Sequence, residues 1–237
     1  MALLMMSIFR PRHEGEALHG GRNVIQESFS MNYFVSVHSI FVVTMSCFAQ
    51  AMEPFQLSSP NGKLRIELDL RGSGEHERAP HYRVLHGGAE VIGFSRLGIE
   101  LSDGQMLGNT CEVMGSDKSA IDEAFVQVSG KQRNISARSN QLRIQLRETS
   151  APKRDWEIHL RAFDDGVAFR YHFPKQAGWE TLAIKQEQTE FKFPSQAKAY
   201  ALPLSGYTTS YENRYVIQPL EDLRKDWIFA LPLLLEC

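Results

Sequence analysis

The chain has 237 residues, 26 Lys and Arg against 28 Asp and Glu, and is 43% hydrophobic and 10% aromatic. This near-even balance, with no basic stripe, removes the electrostatic footprint expected of a nucleic-acid or anionic-membrane binder, and the apolar share is that of a chain with a full core. Three cysteines, Cys47, Cys111 and Cys237, form no disulfide framework and show no Cys-x-x-Cys spacing, so free thiols are expected and structural zinc on cysteine is not.

Residues 1–30 mix Pro11, Gly15, Gly20, Gly21 and charges after a short apolar start, matching neither a signal nor a strand pattern. They are expected to be a disordered, over-extended start, with Met31 the better initiator. Residues 31–51 read as a secretory signal: Phe34 to Phe48 is mostly apolar and Ala49-Gln50-Ala51 offers small residues for cleavage. The n-region lacks Lys or Arg, and a short core helix or strand is the alternative. The expectation is export to the periplasm or beyond, leaving one mature domain from residue 52 with no membrane span.

From Gln56 onward the hydrophobic period is two. Leu64, Ile66, Leu68 and Leu70 share one face against charges, and Pro60-Asn61-Gly62 before them signals a turn, so Ser58 to Leu70 is hairpin material. Tyr82–Leu85, Leu97–Leu101, Phe125–Val128, Leu142–Leu146, Trp156–Phe163 and Val167–Phe173 follow as strands, punctuated by Gly87-Gly88, Asp103-Gly104, Ser129-Gly130 and Ser139-Asn140. Around Asp164-Asp165-Gly166 two alternating runs meet, which predicts a β-hairpin with a positive-φ glycine turn. Val167, Phe169, Tyr171 and Phe173 then face one side, with Ala168, Arg170 and His172 on the other. Further strands are expected at Thr181–Glu187 and Thr189–Phe193, and one short helix at Pro219–Lys225. The fold class is all-β, an antiparallel β-sandwich with few short helices.

The hairpin Arg161-Ala-Phe-Asp-Asp-Gly-Val-Ala-Phe-Arg-Tyr171 resembles that of the N-terminal domain of glycoside hydrolase family 97, the bacterial α-glucosidases and α-galactosidases. In order along the chain, Ser59-Pro-Asn-Gly-Lys-Leu64, Ser95-Arg-Leu-Gly98, Gly130-Lys-Gln-Arg133 with Asn140-Gln-Leu142, Ile184 to Phe191 and Tyr207 to Tyr215 resemble further segments of that domain. The resemblance implies a β-super-sandwich related to the galactose-mutarotase-like fold. It also implies a following (β/α)8 barrel that carries the catalytic carboxylates and most of a calcium site. Leu231 to Glu236 resembles a strand that continues in the family, whereas this chain closes at Cys237. The expectation is therefore an incomplete domain, inactive alone, arising from a frameshift, a premature stop or a fragmentary gene model. A stand-alone secreted carbohydrate-binding sandwich is the alternative, against which the apolar run Trp227–Leu235 counts.

Neighbouring carboxylates such as Asp164 and Asp165 invite comparison with the acid pair of glycoside hydrolysis, but side chains at a hairpin tip point apart, and the turn reading is preferred. Glu187 is the metal candidate. Apolar Ile184 and Phe191 around it suggest partial burial, and the resemblance implies an N-domain Glu that helps to complete the calcium shell. A surface-facing strand Glu is the alternative, and Glu190 is close enough to confuse the assignment. Ser210, Tyr211 and Glu212 are the substrate-binding candidates. They lie in a stretch, Tyr207–Tyr215, whose aromatic faces and hydroxyl, amide and carboxylate groups suit an oligosaccharide or α-glycoside, with a polar loop at a sandwich edge as the alternative. The eight His show no metal spacing in sequence, and neither a nucleophile elbow nor a phosphate-cradling loop is present.

Overall fold

The computed structural model describes residues 4–7, 53–72, 78–179, 181–224 and 226–236. The expected signal at 31–51, and residues 1–30 apart from 4–7, lie outside the described residues. The strands in chain order are β1 (Leu4–Ser7), β2 (Phe55–Ser58), β3 (Leu64–Arg71), β4 (Ala79–His86), β5 (Ala89–Arg96), β6 (Ile99–Leu101), β7 (Met106–Leu107), β8 (Cys111–Val126) and β9 (Asn134–Glu148). They continue with β10 (Asp155–Phe163), β11 (Gly166–His172), β12 (Ile184–Glu187), β13 (Lys198–Ala201), β14 (Pro203–Leu204), β15 (Val216–Pro219), β16 (Ile228–Phe229) and β17 (Leu234–Glu236).

Two antiparallel sheets make the sandwich, one ordered β2-β3-β4-β5 and the other β1-β11-β10-β9-β8. Alternation drives their packing. Leu64, Ile66, Leu68, Tyr82 and Val84 from the first sheet meet Leu142, Ile144, Leu146, Trp156, Ile158, Leu160, Phe169 and Tyr171 from the second in one buried cluster. The all-β sandwich expected from the two-residue period is thus the observed architecture. Tyr82 and Phe169 link the layers with ring centroids 5.2 Å apart, and Trp156 packs on Tyr171 at 5.9 Å.

On the outer side of β3, Glu67 is 99% removed from solvent on its side chain, yet it is paired with Arg83 at 2.6 Å and Arg65 at 3.0 Å. Those two guanidiniums supply what a buried carboxylate requires. Arg83 and Arg71 also lie over the Phe94 ring, at 4.6 and 3.7 Å from its centroid, closing that face.

Several expectations need correction. Gly166 does not take a positive φ; it opens β11 in extended conformation, and the turn is held by Asp164, whose Oδ1 accepts the Asn61 N–H at 2.8 Å. Hairpin β2–β3 and hairpin β10–β11 are therefore tied tip to tip. The positive-φ pair sits instead at Gly87-Gly88, between β4 and β5. The helix expected at Pro219–Lys225 is a single 3-10 turn at Leu220–Asp222, because Pro219 finishes β15. Thr189–Phe193 is not a strand; Lys192 forms only an isolated bridge with Gly93. Cys111 is a free buried thiol, pushed up to about 12 by burial; Cys47 and Cys237 lie outside the described residues. No helix among the described residues is long and apolar enough to cross a membrane.

Three small sheets, β12-β6-β7, β15-β13-β17 and β14-β16, lie downstream of the sandwich strands or at their corner, and they carry the functional candidates.

Candidate functional site

Glu187 ends β12, which pairs antiparallel with β6 so that Glu187 faces Ile99 across the ladder. The chain beyond it is stitched to the β5–β6 corner: Gln188 N–H donates to Gly98 O at 2.8 Å and Glu190 N–H to Arg96 O at 2.9 Å. A hydroxyl relay runs outward from the core. Buried Tyr171 donates from its hydroxyl to Thr189 Oγ1 at 3.0 Å, and Thr189 donates to Glu187 Oε1 at 2.6 Å. Burial raises the Tyr171 phenol above its usual range, so it stays protonated and can hold this contact at any ordinary pH.

The expected partial burial of Glu187 is not observed. Every residue of β12 is exposed, and flanking Ile184 and Phe191 are themselves open to solvent. Neighbouring Glu190 is committed elsewhere: its carboxylate accepts the Arg96 N–H at 3.1 Å and pairs with Lys192 at 3.2 Å. Burial works against its charge, but the Arg96 amide and Lys192 together hold its carboxyl below the usual range. Glu100 is likewise held low by Lys185, 2.6 Å away. Of these three carboxylates, Glu187 alone has no cationic partner among the described residues.

Ser210, Tyr211 and Glu212 lie in the loop between β14 and β15, and all three are exposed. Tyr211 adopts φ +58°, a left-handed conformation that is uncommon for a residue with a side chain, and its N–H donates to Thr209 Oγ1 at 2.9 Å. Asn213 anchors the loop by donating from Nδ2 to Pro203 O at 3.1 Å. Tyr207, Tyr211 and Tyr215 all present their rings to solvent. No hydrogen bond or ion pair among the described residues joins this loop to Glu187.

Next to the loop, the β15-β13-β17 sheet is sided. Ala199 and Ala201 of β13 are buried, while Tyr200 is flanked across the ladder by Ile217 on one side and Leu234 on the other. Ile217 and Leu234 are 55% and 54% exposed, so an apolar row faces outward.

Sequence reasoning missed one constellation. Glu157, His159 and His172 bring three ligand-type atoms within 4.8 Å of one another across the β10–β11 hairpin. Spacing along the chain hides it, but the hairpin turn could have revealed it, because pairing Ala162 with Val167 forces Glu157 opposite His172.

These features define a sandwich domain with an unpaired carboxylate on its rim, an aromatic polar loop and an outward apolar row. Residues 57–237 match the sequence family described as glycosyl-hydrolase 97 N-terminal, and the chain belongs to that family. It is 24% identical over 197 residues to a retaining α-galactosidase of Bacteroides thetaiotaomicron, a match covering 79% of this chain and 27% of that protein. Against a probable retaining α-galactosidase of Streptomyces bingchenggensis it is 30% identical over 162 residues, covering 68% of this chain and 23% of the other. The chain thus spans about a quarter of the length of these relatives. Among solved structures, a family 97 enzyme of Pseudoalteromonas sp. strain K8 in complex with panose superposes with a TM-score of 0.63 at 26% identity, over 71% of this chain and 25% of that one. A β-arabinopyranosidase superposes with a TM-score of 0.67 at 27% identity, over 76% and 29% respectively.

Proposed function

We propose that this chain is the N-terminal β-super-sandwich of an α-glycosidase, an α-glucosidase or α-galactosidase, that packs on a catalytic (β/α)8 barrel and contributes to a shared sugar and calcium site. The observation that carries this reading is the outward row Ile217–Tyr200–Leu234 beside the aromatic loop. An apolar row of that kind is suited to covering by another surface. On this reading the acid and nucleophile pair of glycoside hydrolysis belongs to the barrel, and the sandwich is inactive alone.

Glu187 suits calcium as one donor: it is a hard oxygen ligand, exposed, oriented by Thr189 and without a competing cation among the described residues. Bound calcium would supply a Lewis acid that orients sugar hydroxyls; the protein's own part is to hold the Glu187 carboxylate at the rim. Ser210, Tyr211 and Glu212 would meet the substrate, Tyr211 through its ring face and the other two through hydrogen bonds. Export through residues 31–51 would place the protein in the periplasm or outside the cell, and N-terminal sequencing of exported material should then begin at residue 52.

Calorimetric titration with CaCl2 tests the shared site. One carboxylate cannot organise a shell of roughly six to eight oxygens, so the chain alone should bind Ca²⁺ only weakly. Tight binding would contradict the reading. Tight binding that survives Glu187→Gln would also remove Glu187 as the ligand.

A further inference from the structure

The outer face of the five-stranded sheet carries a group of side chains that neither the sugar loop nor the rim uses. Alternation along β10 puts Glu157 and His159 opposite the core residues Trp156, Ile158 and Leu160. The hairpin register sets Glu157 across from His172 and His159 across from Arg170. Glu157 Oε2 lies 2.6 Å from His159 Nε2 and 3.1 Å from His172 Nδ1. The two imidazole rings stack with centroids 5.2 Å apart and planes 29° from parallel. From β9, Gln145 Nε2 donates to Glu157 Oε1 at 3.5 Å, which leaves Oε2 to the imidazoles.

We propose that Glu157, His159 and His172 form a binding site for a divalent transition-metal ion of the zinc type, built on two strands and separate from the calcium rim at Glu187. Two imidazole nitrogens with one carboxylate oxygen suit zinc and its neighbours rather than calcium, which takes oxygen ligands. Ligands of a tetrahedral zinc with bonds of about 2.0–2.1 Å sit about 3.3 Å apart; the two imidazole–carboxylate pairs, at 2.6 and 3.1 Å, would open by less than about 1 Å, and the two imidazole nitrogens already lie within 4.8 Å of each other. His172 is exposed, and solvent on its side can complete the shell.

Arg170 opposes the metal. Its Nη2 and Nε lie 3.1 and 3.3 Å from His159 Nδ1 and donate to it. A metal on Nε2 leaves the proton on Nδ1, which a guanidinium cannot accept, so Arg170 turns away when the ion enters. Arg170→Gln would remove a positive charge and offer a carbonyl acceptor to that proton.

The test is titration of the EDTA-treated full chain with ZnCl2 by calorimetry, with Co²⁺ absorption as a second readout of ligand geometry. Wild-type protein should take up one tight equivalent and melt at a higher temperature with zinc. His172→Gln, an exposed change that folding tolerates, should weaken that equivalent by about tenfold or more, as should His159→Gln. Arg170→Gln should bind more tightly than wild type. Binding no tighter in wild type than in His172→Gln would overturn the proposal, and so would weaker binding in Arg170→Gln.

Discussion

His159 shows how one side chain couples local environment to stability. Burial depresses its pKa in the folded chain below the ordinary histidine value. Folding therefore excludes a proton that the unfolded chain accepts, so the stability is present above the unfolded value near 6.5 and is lost as pH falls through the folded value. The Glu157 carboxyl, also held low, moves stability in the same direction at still lower pH. The melting temperature should fall as pH drops from 7 toward 5, and His159→Gln should flatten that slope. A wild-type slope unchanged in the variant would show that His159 is not the titrating group. At this scale the sequence was only partly legible. Apolar Ile184 and Phe191 suggested cover for Glu187, but Ile184 on the three-stranded sheet stays open, and Phe191, outside any strand, packs its ring on Tyr82 and Phe193. Both remain exposed, and so does the carboxylate. His172 beside Glu157 was legible in principle, through the hairpin register rather than through linear spacing.

At the scale of elements, two places carry more stability than their size suggests. Gly108, between β7 and β8, sits at φ +93°, and a Cβ there would meet Leu97 O at 3.2 Å with the Trp156 ring at 3.5 Å. Gly108→Ala should destabilise by about 2 kcal/mol, read from chemical denaturation. Between β9 and β10, buried Arg154 and Glu148 form a two-point ion pair, with Arg154 Nη2 at 3.0 Å from Glu148 Oε1 and the guanidinium also facing Trp179. Arg154→Met leaves a buried carboxylate without its cation and should cost roughly 3–5 kcal/mol, while Arg154→Met with Glu148→Leu should recover much of that loss. The strict alternation of β3, β10 and β11 made those strands readable, since each sets its large apolar side chains on the core face and mostly polar ones on the other. β8 was readable only at its end, where a strand was expected over Phe125–Val128 and runs to Val126. Most of β8 is exposed on both sides, so its 16 residues show too little contrast to announce a strand of that length. The expected helix failed because its capping signals, Pro219 before an acidic turn, had no apolar stripe behind them to reward a second turn.

For the whole molecule, the fold followed from the two-residue period, whereas the candidate site followed from residues whose partners the period cannot supply. The sandwich buries one contiguous cluster between its two main sheets, and among the apolar side chains left exposed two groups bear most on association. One is the Ile217–Tyr200–Leu234 row. The other is the end of the β8–β9 ribbon, where Phe125, Val126 and Val128 are exposed. Exposed apolar patches promote association, so the isolated chain should oligomerise as its concentration rises, measurable by sedimentation velocity. Ile217→Lys with Leu234→Lys should reduce that association, and a monodisperse monomer at high concentration would contradict it. On the proposed function, this sandwich is one part of a family 97 glycosidase, and the carboxylates that break the glycosidic bond lie outside it. The most direct test is the turnover of p-nitrophenyl α-glucoside and α-galactoside by the purified chain in the presence of CaCl2. No hydrolysis above the uncatalysed rate is expected; hydrolysis that a single substitution within residues 52–237 abolishes would contradict that assignment.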